Sequence, residues 1–122
     1  MATFKFEELK VYQNALNVID EIYNLTSNFP VDEKFGLTSQ LNRAIVSIAL
    51  NIAEGSGSSN KNYNRYLGIA NGSLKECIVC LTVAKRRNYI TTEEDNKFRD
   101  QLIVIAKMIT NLRKYLNNND KG

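Results

Sequence analysis

The sequence predicts an all-α protein that folds as an antiparallel, up-down-up-down four-helix bundle. Apolar residues recur at intervals of three and four through four segments, which is the period of one helix face. Short stretches rich in proline, glycine or serine separate these segments, and no strand pattern is visible. Short connections between long helices favour antiparallel neighbours. At 122 residues, the chain fits a single domain, 1–122, with a core of its own.

The first two helices are predicted over residues 6–28 and 37–55. The first ends before Pro30, because proline disfavours helical backbone in the residue that precedes it. The second carries a regular apolar stripe until the glycine- and serine-rich segment 55–59, which we interpret as a helix stop and a flexible turn.

The third helix is predicted over residues 60–88, with Ser58 or Ser59 as its N-cap. Gly72 interrupts this helix at a cost of about 1 kcal/mol relative to alanine. We therefore expect Gly72 to have a close neighbour.

The fourth helix, predicted over residues 92–117, has the most regular apolar pattern in the chain. Thr91 and Glu94 match a capping box at its start. Its apolar residues then alternate by four and three, the pattern of helices that cross at a shallow angle. The polar tail 118–122 is expected to be frayed.

Composition argues against several classes of function. The chain has no histidine, so the usual general base of enzymes is missing and no catalytic residue is predicted. Cys77 and Cys80 have no second pair of metal ligands, so we expect core thiols rather than a metal site, with a redox pair as the alternative. Segment 55–59 lacks the lysine of a phosphate loop, and no cofactor is predicted. With no apolar run approaching roughly 20 residues and no signal peptide, we expect a cytoplasmic protein without a membrane span.

The second and fourth helices are apolar beyond a single stripe. The additional residues are Val46, Leu50, Ala53, Ile103, Val104 and Met108. An exposed second apolar face most often marks a subunit interface, so we expect a homo-oligomer, with looser packing as the alternative.

Polar side chains form one line along the second helix and a similar line along the third. At 100° per residue, the first line spans a sector of roughly 80°. Three interpretations stay open: solvated helix faces, a structural hydrogen-bonded network in which arginines pair with glutamates, or a binding site. The residues assigned to a network are Gln40, Arg43, Ser47, Asn51, Glu54, Ser73 and Glu76.

The formal net charge of +3 is concentrated in the middle of the chain. Residues 1–35 carry −3, residues 36–91 carry +5, and residues 92–122 carry +1. Cations with tyrosine neighbours on the third helix resemble the mixture that binds single-stranded RNA. The candidate nucleic-acid-binding residues are Lys61, Arg65, Lys85, Arg86 and Arg87.

Several segments also resemble one protein family. These are 6–12, 36–44, 46–48, the Asn-Ile-Ala-Glu-Gly segment 51–55, and 69–76, which contains Gly-Ser-Leu-Lys-Glu. They resemble the four-helix-bundle proteins encoded in intervening sequences of bacterial 23S rRNA genes. The resemblance implies a closed ring, a pentamer, and a similarity to the accessory proteins of diversity-generating retroelements, which are basic rings associated with a reverse transcriptase and nucleic acid.

Two functional hypotheses follow. The first is a non-enzymatic, oligomeric bundle that binds RNA or a ribonucleoprotein. The second is a protein-protein scaffold that makes no nucleic-acid contact of its own.

Overall fold

The computed structural model describes residues 2–119, and within that range it contains helices and no strand. This confirms the predicted all-α class and the predicted number of long helices. The four long helices are α1 (Lys10–Thr26), α2 (Leu37–Gly55), α3 (Asn60–Arg86) and α4 (Thr92–Asn118). Two short 3-10 helices, Lys5–Glu8 and Val31–Glu33, precede α1 and α2.

The side-chain contacts between α3 and α4 indicate that these two helices are antiparallel. Asn64, near the start of α3, accepts a hydrogen bond from Arg113, near the end of α4, at 2.6 Å. Thr82, late in α3, accepts one from Arg99, early in α4, also at 2.6 Å. The same order joins α1 to α4, through Asn14 with Met108 and Glu21 with Gln101. These contacts are consistent with the predicted up-down-up-down arrangement.

One hydrophobic core is formed by a face from each of the four helices. In α2, Leu41, Ile45, Ile48 and Ile52 are fully buried, and each such side chain contributes roughly 1.5–3 kcal/mol relative to exposure. The most extensive helix-helix contact joins α2 to α3, and the least extensive contact between neighbouring helices joins α1 to α4.

The first helix begins later than predicted. Instead of starting at residue 6, the chain forms the short turn Lys5–Glu8, and Leu9 then adopts an extended backbone (φ −69°, ψ 129°) before α1 starts. The Glu7 carboxylate stabilises the turn by accepting the Phe4 N–H at 2.7 Å. At the other end, α1 stops at Thr26, two residues earlier than predicted.

The third helix also ends two residues before its predicted limit, because Asn88 has a left-handed backbone with φ 63°. The Tyr89 N–H donates to the Ala84 carbonyl at 2.8 Å, and the Asn88 N–H donates to the Lys85 carbonyl at 3.0 Å. This pair of bonds is a Schellman motif, in which asparagine is accepted at the left-handed position.

The predicted helix starts are confirmed for α3 and α4. The Ser59 hydroxyl accepts the Asn62 N–H at 3.2 Å, which identifies Ser59 as the N-cap of α3. Thr91 and Glu94 form the predicted capping box, with reciprocal hydrogen bonds of 2.8 and 3.1 Å. The predicted frayed tail 118–122 lies outside the described residues beyond Asn119.

By length and composition alone, α3 is apolar enough to cross a membrane. However, 44% of its most apolar stretch is buried inside the bundle, and core helices of soluble proteins meet the same criterion. The absence of a membrane span therefore stays a prediction.

Candidate functional site

The two predicted polar lines border one open groove between α2 and α3, with a volume of about 610 Å³. At its floor, the Ser73 hydroxyl donates to the Ser47 hydroxyl at 2.8 Å. The Asn51 amide donates to the Ser47 hydroxyl at 3.1 Å and to its carbonyl at 2.8 Å. Ser73 is buried, so this contact satisfies a polar group inside the helix pair.

Within residues 2–119, the charged members of the predicted network form no ion pair. Arg43, Glu54 and Glu76 are exposed, as is the polar Gln40. The ion pairs in this range join other side chains, so the predicted pairing of arginines with glutamates along these lines is not formed there. Pairing of these charges between subunits stays a prediction.

Gly72 borders the same groove without the close neighbour predicted for it. A Cβ atom at this position would meet no other heavy atom within 4 Å. Within a single chain that expectation is therefore wrong, and no contact of Gly72 offsets the cost of a glycine inside α3.

Both cysteines are buried and free. Burial, and secondarily the neighbouring Cys80, raises the pKa of the Cys77 thiol to about 12. The pKa of Cys80 is also raised by burial. The thiolate that redox and metal chemistry requires is therefore disfavoured, as expected for core thiols. Within residues 2–119, no three metal-ligating side chains of the His, Cys, Asp or Glu type are grouped.

The five predicted nucleic-acid-binding residues do not form one patch. Lys61 and Arg65 lie at the start of α3, whereas Lys85, Arg86 and Arg87 lie at its end. At a rise of 1.5 Å per residue, Lys61 and Lys85 are separated by about 36 Å along the axis of α3.

Acidic groups accompany the cations at the end of α3. The pKa of Arg87 is raised by the neighbouring Tyr89 side chain and by the nearby charge of Glu33. Lys85 lines a surface depression together with Glu94. These carboxylates lie near the cluster without forming an ion pair within 4.0 Å, so they offset its positive charge only in part.

The start of α3 has a different electrostatic environment. Because α3 and α4 are antiparallel, residues 60–75 lie beside residues 101–118. Together these two stretches, which end just before Glu76 and begin just after Asp100, contain six cations and no carboxylate. We call them the α3–α4 basic surface; its cations are Lys61, Arg65, Lys75, Lys107, Arg113 and Lys114.

Two of these cations have defined positions. The Arg65 guanidinium lies over the Tyr66 ring, 4.7 Å from its centroid. The Arg113 Nε donates to the Asn64 side-chain oxygen at 2.6 Å. The ion pairs within residues 2–119 are Lys97–Glu21 and Arg99–Asp95, so none of the six cations of the surface is neutralised by a carboxylate within 4.0 Å.

Residues 7–111 match the 23S rRNA-intervening sequence protein family. The chain belongs to this family. Its structure is similar to a crystal structure of a protein of unknown function from the S23 ribosomal protein family of Bacteroides thetaiotaomicron, with a TM-score of 0.79 and 25% sequence identity. The similarity covers 85% of this chain and 98% of the other. A comparison with curated proteins gives no match.

In this 23S rRNA-intervening sequence protein, two of the segments that carry the family resemblance, 51–55 and 69–76, meet between α2 and α3. Asn51 and Ser73, one from each segment, both hydrogen-bond to Ser47. Gly55 lets α3 approach α2, since a Cβ atom there would come within 2.9 Å of Tyr63 and Tyr66. The segments that carry the resemblance therefore include residues that determine how α2 packs against α3.

Proposed function

We propose that this 23S rRNA-intervening sequence protein is a non-enzymatic, cytoplasmic, oligomeric bundle that binds RNA, free or within a ribonucleoprotein, through the α3–α4 basic surface. The observation that carries the proposal is the presence of six cations and no carboxylate in residues 60–75 and 101–118. Neutralising phosphates with such a surface releases counterions, which drives association.

The chemistry of the same surface suits an RNA ligand. Asn64 and Asn117 are bonded to each other, and the five other asparagines of these two stretches carry amide donors and acceptors for phosphates and base edges. The Arg65 guanidinium lies over the Tyr66 ring, and planar arginine and aromatic groups of this kind stack on unpaired bases. Single-stranded or looped RNA is therefore the favoured ligand.

Exposed apolar side chains support the oligomer. Leu50 on α2 is 62% exposed and Val79 on α3 is 61% exposed, and both lie outside the core of the single chain. Ile103 and Val104, predicted to form a second apolar face on α4, are 48% and 49% exposed. Exposed apolar residues of this kind favour subunit contacts, and the family resemblance implies that the oligomer is a pentamer.

The test is fluorescence anisotropy with labelled single-stranded and structured RNAs at several salt concentrations, together with native mass spectrometry. The combined variant Lys61→Glu, Arg65→Glu, Lys114→Glu should lower affinity at least 100-fold and flatten the salt dependence, because three of the surface's six cations remain and three carboxylates are added. The matched control reverses Lys85, Arg86 and Arg87 and should lose far less.

Each result has a distinct meaning. A larger loss in the control variant would move the interface to the other end of α3. Absence of binding at low salt would contradict RNA binding altogether. A mass equal to one chain would contradict the oligomer, whereas five copies would support the pentamer.

A protein-protein scaffold is the second candidate, and the loop between α1 and α2 favours it. Val31 and Phe35 in this loop are 86% and 90% exposed. Two such apolar side chains on a surface loop can anchor a partner protein. If RNA binding fails, a protein that copurifies with the wild type but not with Val31→Ser, Phe35→Ser would support this function.

A further inference from the structure

Arg113 is held in place by the helix opposite it. Its Nε–H donates to the Asn64 side-chain oxygen at 2.6 Å, and the amide nitrogen of Asn64 donates to Asn117. Because Asn64 accepts from one residue of α4 and donates to another, its amide is held in one orientation. The Arg113 guanidinium thus loses conformational freedom before any ligand binds, which favours binding.

Gly68 provides the space that the guanidinium occupies. A Cβ atom at Gly68 would lie 3.4 Å from both Nη1 and Nη2 of Arg113. The terminal nitrogens therefore lie over the backbone of α3, where a side chain larger than alanine would displace them.

The remaining donors of Arg113 are open to a ligand. Of the five guanidinium N–H groups, the Nε–H bonds to Asn64, and the four on Nη1 and Nη2 have no hydrogen-bond partner among residues 2–119. Neither nitrogen is among the buried side-chain atoms that lack a partner, and the Arg113 side chain is half-buried rather than enclosed. No carboxylate of residues 2–119 lies within 4.0 Å to neutralise the charge.

We propose that Arg113 is the anchoring phosphate contact of the α3–α4 basic surface, with Asn64 and Gly68 as its positioning residues. The inference rests on the proposed RNA binding. Nη1 and Nη2 donate in parallel to two oxygens of one phosphodiester, the bidentate geometry for which arginine is suited and lysine is not. Lys61, Arg65 and Lys114 then supply the surrounding electrostatic attraction.

Asn64→Asp separates this role from a purely structural one. The carboxylate would lose the donation to Asn117 but would accept from Arg113 as an ion pair, which offsets that loss, so thermal stability should not fall. It would also neutralise the guanidinium that the phosphate needs. Asn111→Asp makes the same change of charge on an exposed residue of the same surface and serves as the matched control.

The experiment measures affinity for a labelled single-stranded RNA against salt, and melting temperature, for each variant. Asn64→Asp should lose at least 10-fold in affinity with an unchanged melting temperature, and Asn111→Asp about threefold or less. Arg113→Ala should reduce the salt slope by about 0.7, the value for one phosphate contact with a single strand. Arg113→Lys should retain the slope and still lose affinity severalfold.

Equal losses for Asn64→Asp and Asn111→Asp, or full affinity in Arg113→Lys, would overturn the inference. If the wild type binds and the Lys61, Arg65, Lys114 reversal abolishes binding while the Arg113 variants bind normally, only the role of Arg113 fails. If the wild type does not bind RNA at low salt, the proposed function fails as well.

Discussion

Gly55 and Gly72 are both helical glycines, but they have opposite surroundings. A Cβ atom at Gly55 would lie 2.9 Å from the Cβ of Tyr66 and 2.9 Å from the ring of Tyr63. Relief of such a contact requires α3 to move away from α2, since one of the atoms is fixed to the backbone. At Gly72 a Cβ atom would meet nothing within 4 Å.

The two alanine variants should therefore change stability in opposite directions. We expect Gly55→Ala to lower the free energy of unfolding by roughly 1–3 kcal/mol through overpacking. Gly72→Ala should raise it by about 0.5–1 kcal/mol, because alanine favours the helix. Urea denaturation at equal protein concentration measures both.

Native mass spectrometry of Gly72→Ala provides the control for this pair. A stabilised chain that no longer assembles would show that Gly72 is approached closely by another copy. Destabilisation without any change in assembly would contradict the helix-propensity argument.

How well a residue was predicted depends on whether its partners are local. Ser59, Thr91 and Glu94 were predicted correctly, because a cap bonds to backbone within three residues. Arg113 was not identified, because its acceptor, Asn64, lies 49 positions away in the sequence. No spacing within α4 indicates that contact.

At the level of secondary structure, the start of α2 depends on a carboxylate outside the helix. Gly36 occupies the N-cap position and has no side chain to offer. Glu33 supplies the acceptor that an N-cap side chain would normally provide. Its Oε1 accepts the Leu37 N–H at 3.1 Å, and its Oε2 accepts the Tyr89 hydroxyl at 2.9 Å. These hydrogen bonds favour the ionised form and lower the pKa of Glu33 from its ordinary value of 4.5.

This lowered pKa predicts an acid-sensitive contribution to stability. The contribution is present above the unfolded-state pKa, near 4.5, and is lost as the pH falls through the lower folded-state value. Glu33→Gln should therefore melt at a lower temperature than the wild type at pH 7, with a difference that shrinks below pH 4.5.

Thermal melts of both proteins between pH 3 and pH 7 measure that difference. Glu21, whose pKa is lowered chiefly by Lys97, is the comparison. Glu21→Gln should show the same trend with pH, but its effect should weaken in high salt because its partner is a surface cation. A difference in melting temperature between Glu33→Gln and the wild type that does not change with pH would contradict the role assigned to this carboxylate.

Helix limits were predicted well where the sequence contains a breaking signal. Pro30 and the glycine- and serine-rich segment 55–59 led to ends within two residues of those observed. The sequence did not predict that α1 begins only after Leu9. No glycine or proline marks the extended backbone at Leu9, and the turn before it depends on the hydrogen bond that Glu7 accepts.

At the scale of the whole molecule, the distribution of charge follows from the antiparallel order of the helices. The run Lys85–Arg87 is the most evident basic motif in the sequence, yet Glu33 and Glu94 accompany it in the structure. Residues 60–75 and 101–118 are separated in the chain, and only their packing unites them. The fold class could therefore be derived from periodicity, whereas the candidate surface required the structure.

The four seams of the bundle differ in strength. The α2–α3 contact is the most extensive and the α1–α4 contact the least, and the latter includes polar side chains such as Glu21 with Lys97 and Gln101. Native-state hydrogen exchange should accordingly show the slowest backbone amides in α2 and α3 and faster exchange in α1 and α4. Uniform protection across all four helices would contradict this ranking.

The contact between α2 and α3 also has a consequence for how the protein is made. These helices are joined by a loop of only four residues, 56–59, so their hairpin closes at small entropic cost and can form while the rest of the chain is still being synthesised. α4 is translated after α3 and carries half of the basic surface. A chain that stops before α4 would therefore contain the α2–α3 hairpin without the complete α3–α4 basic surface, and the proposed RNA binding would require α4 to be made and docked.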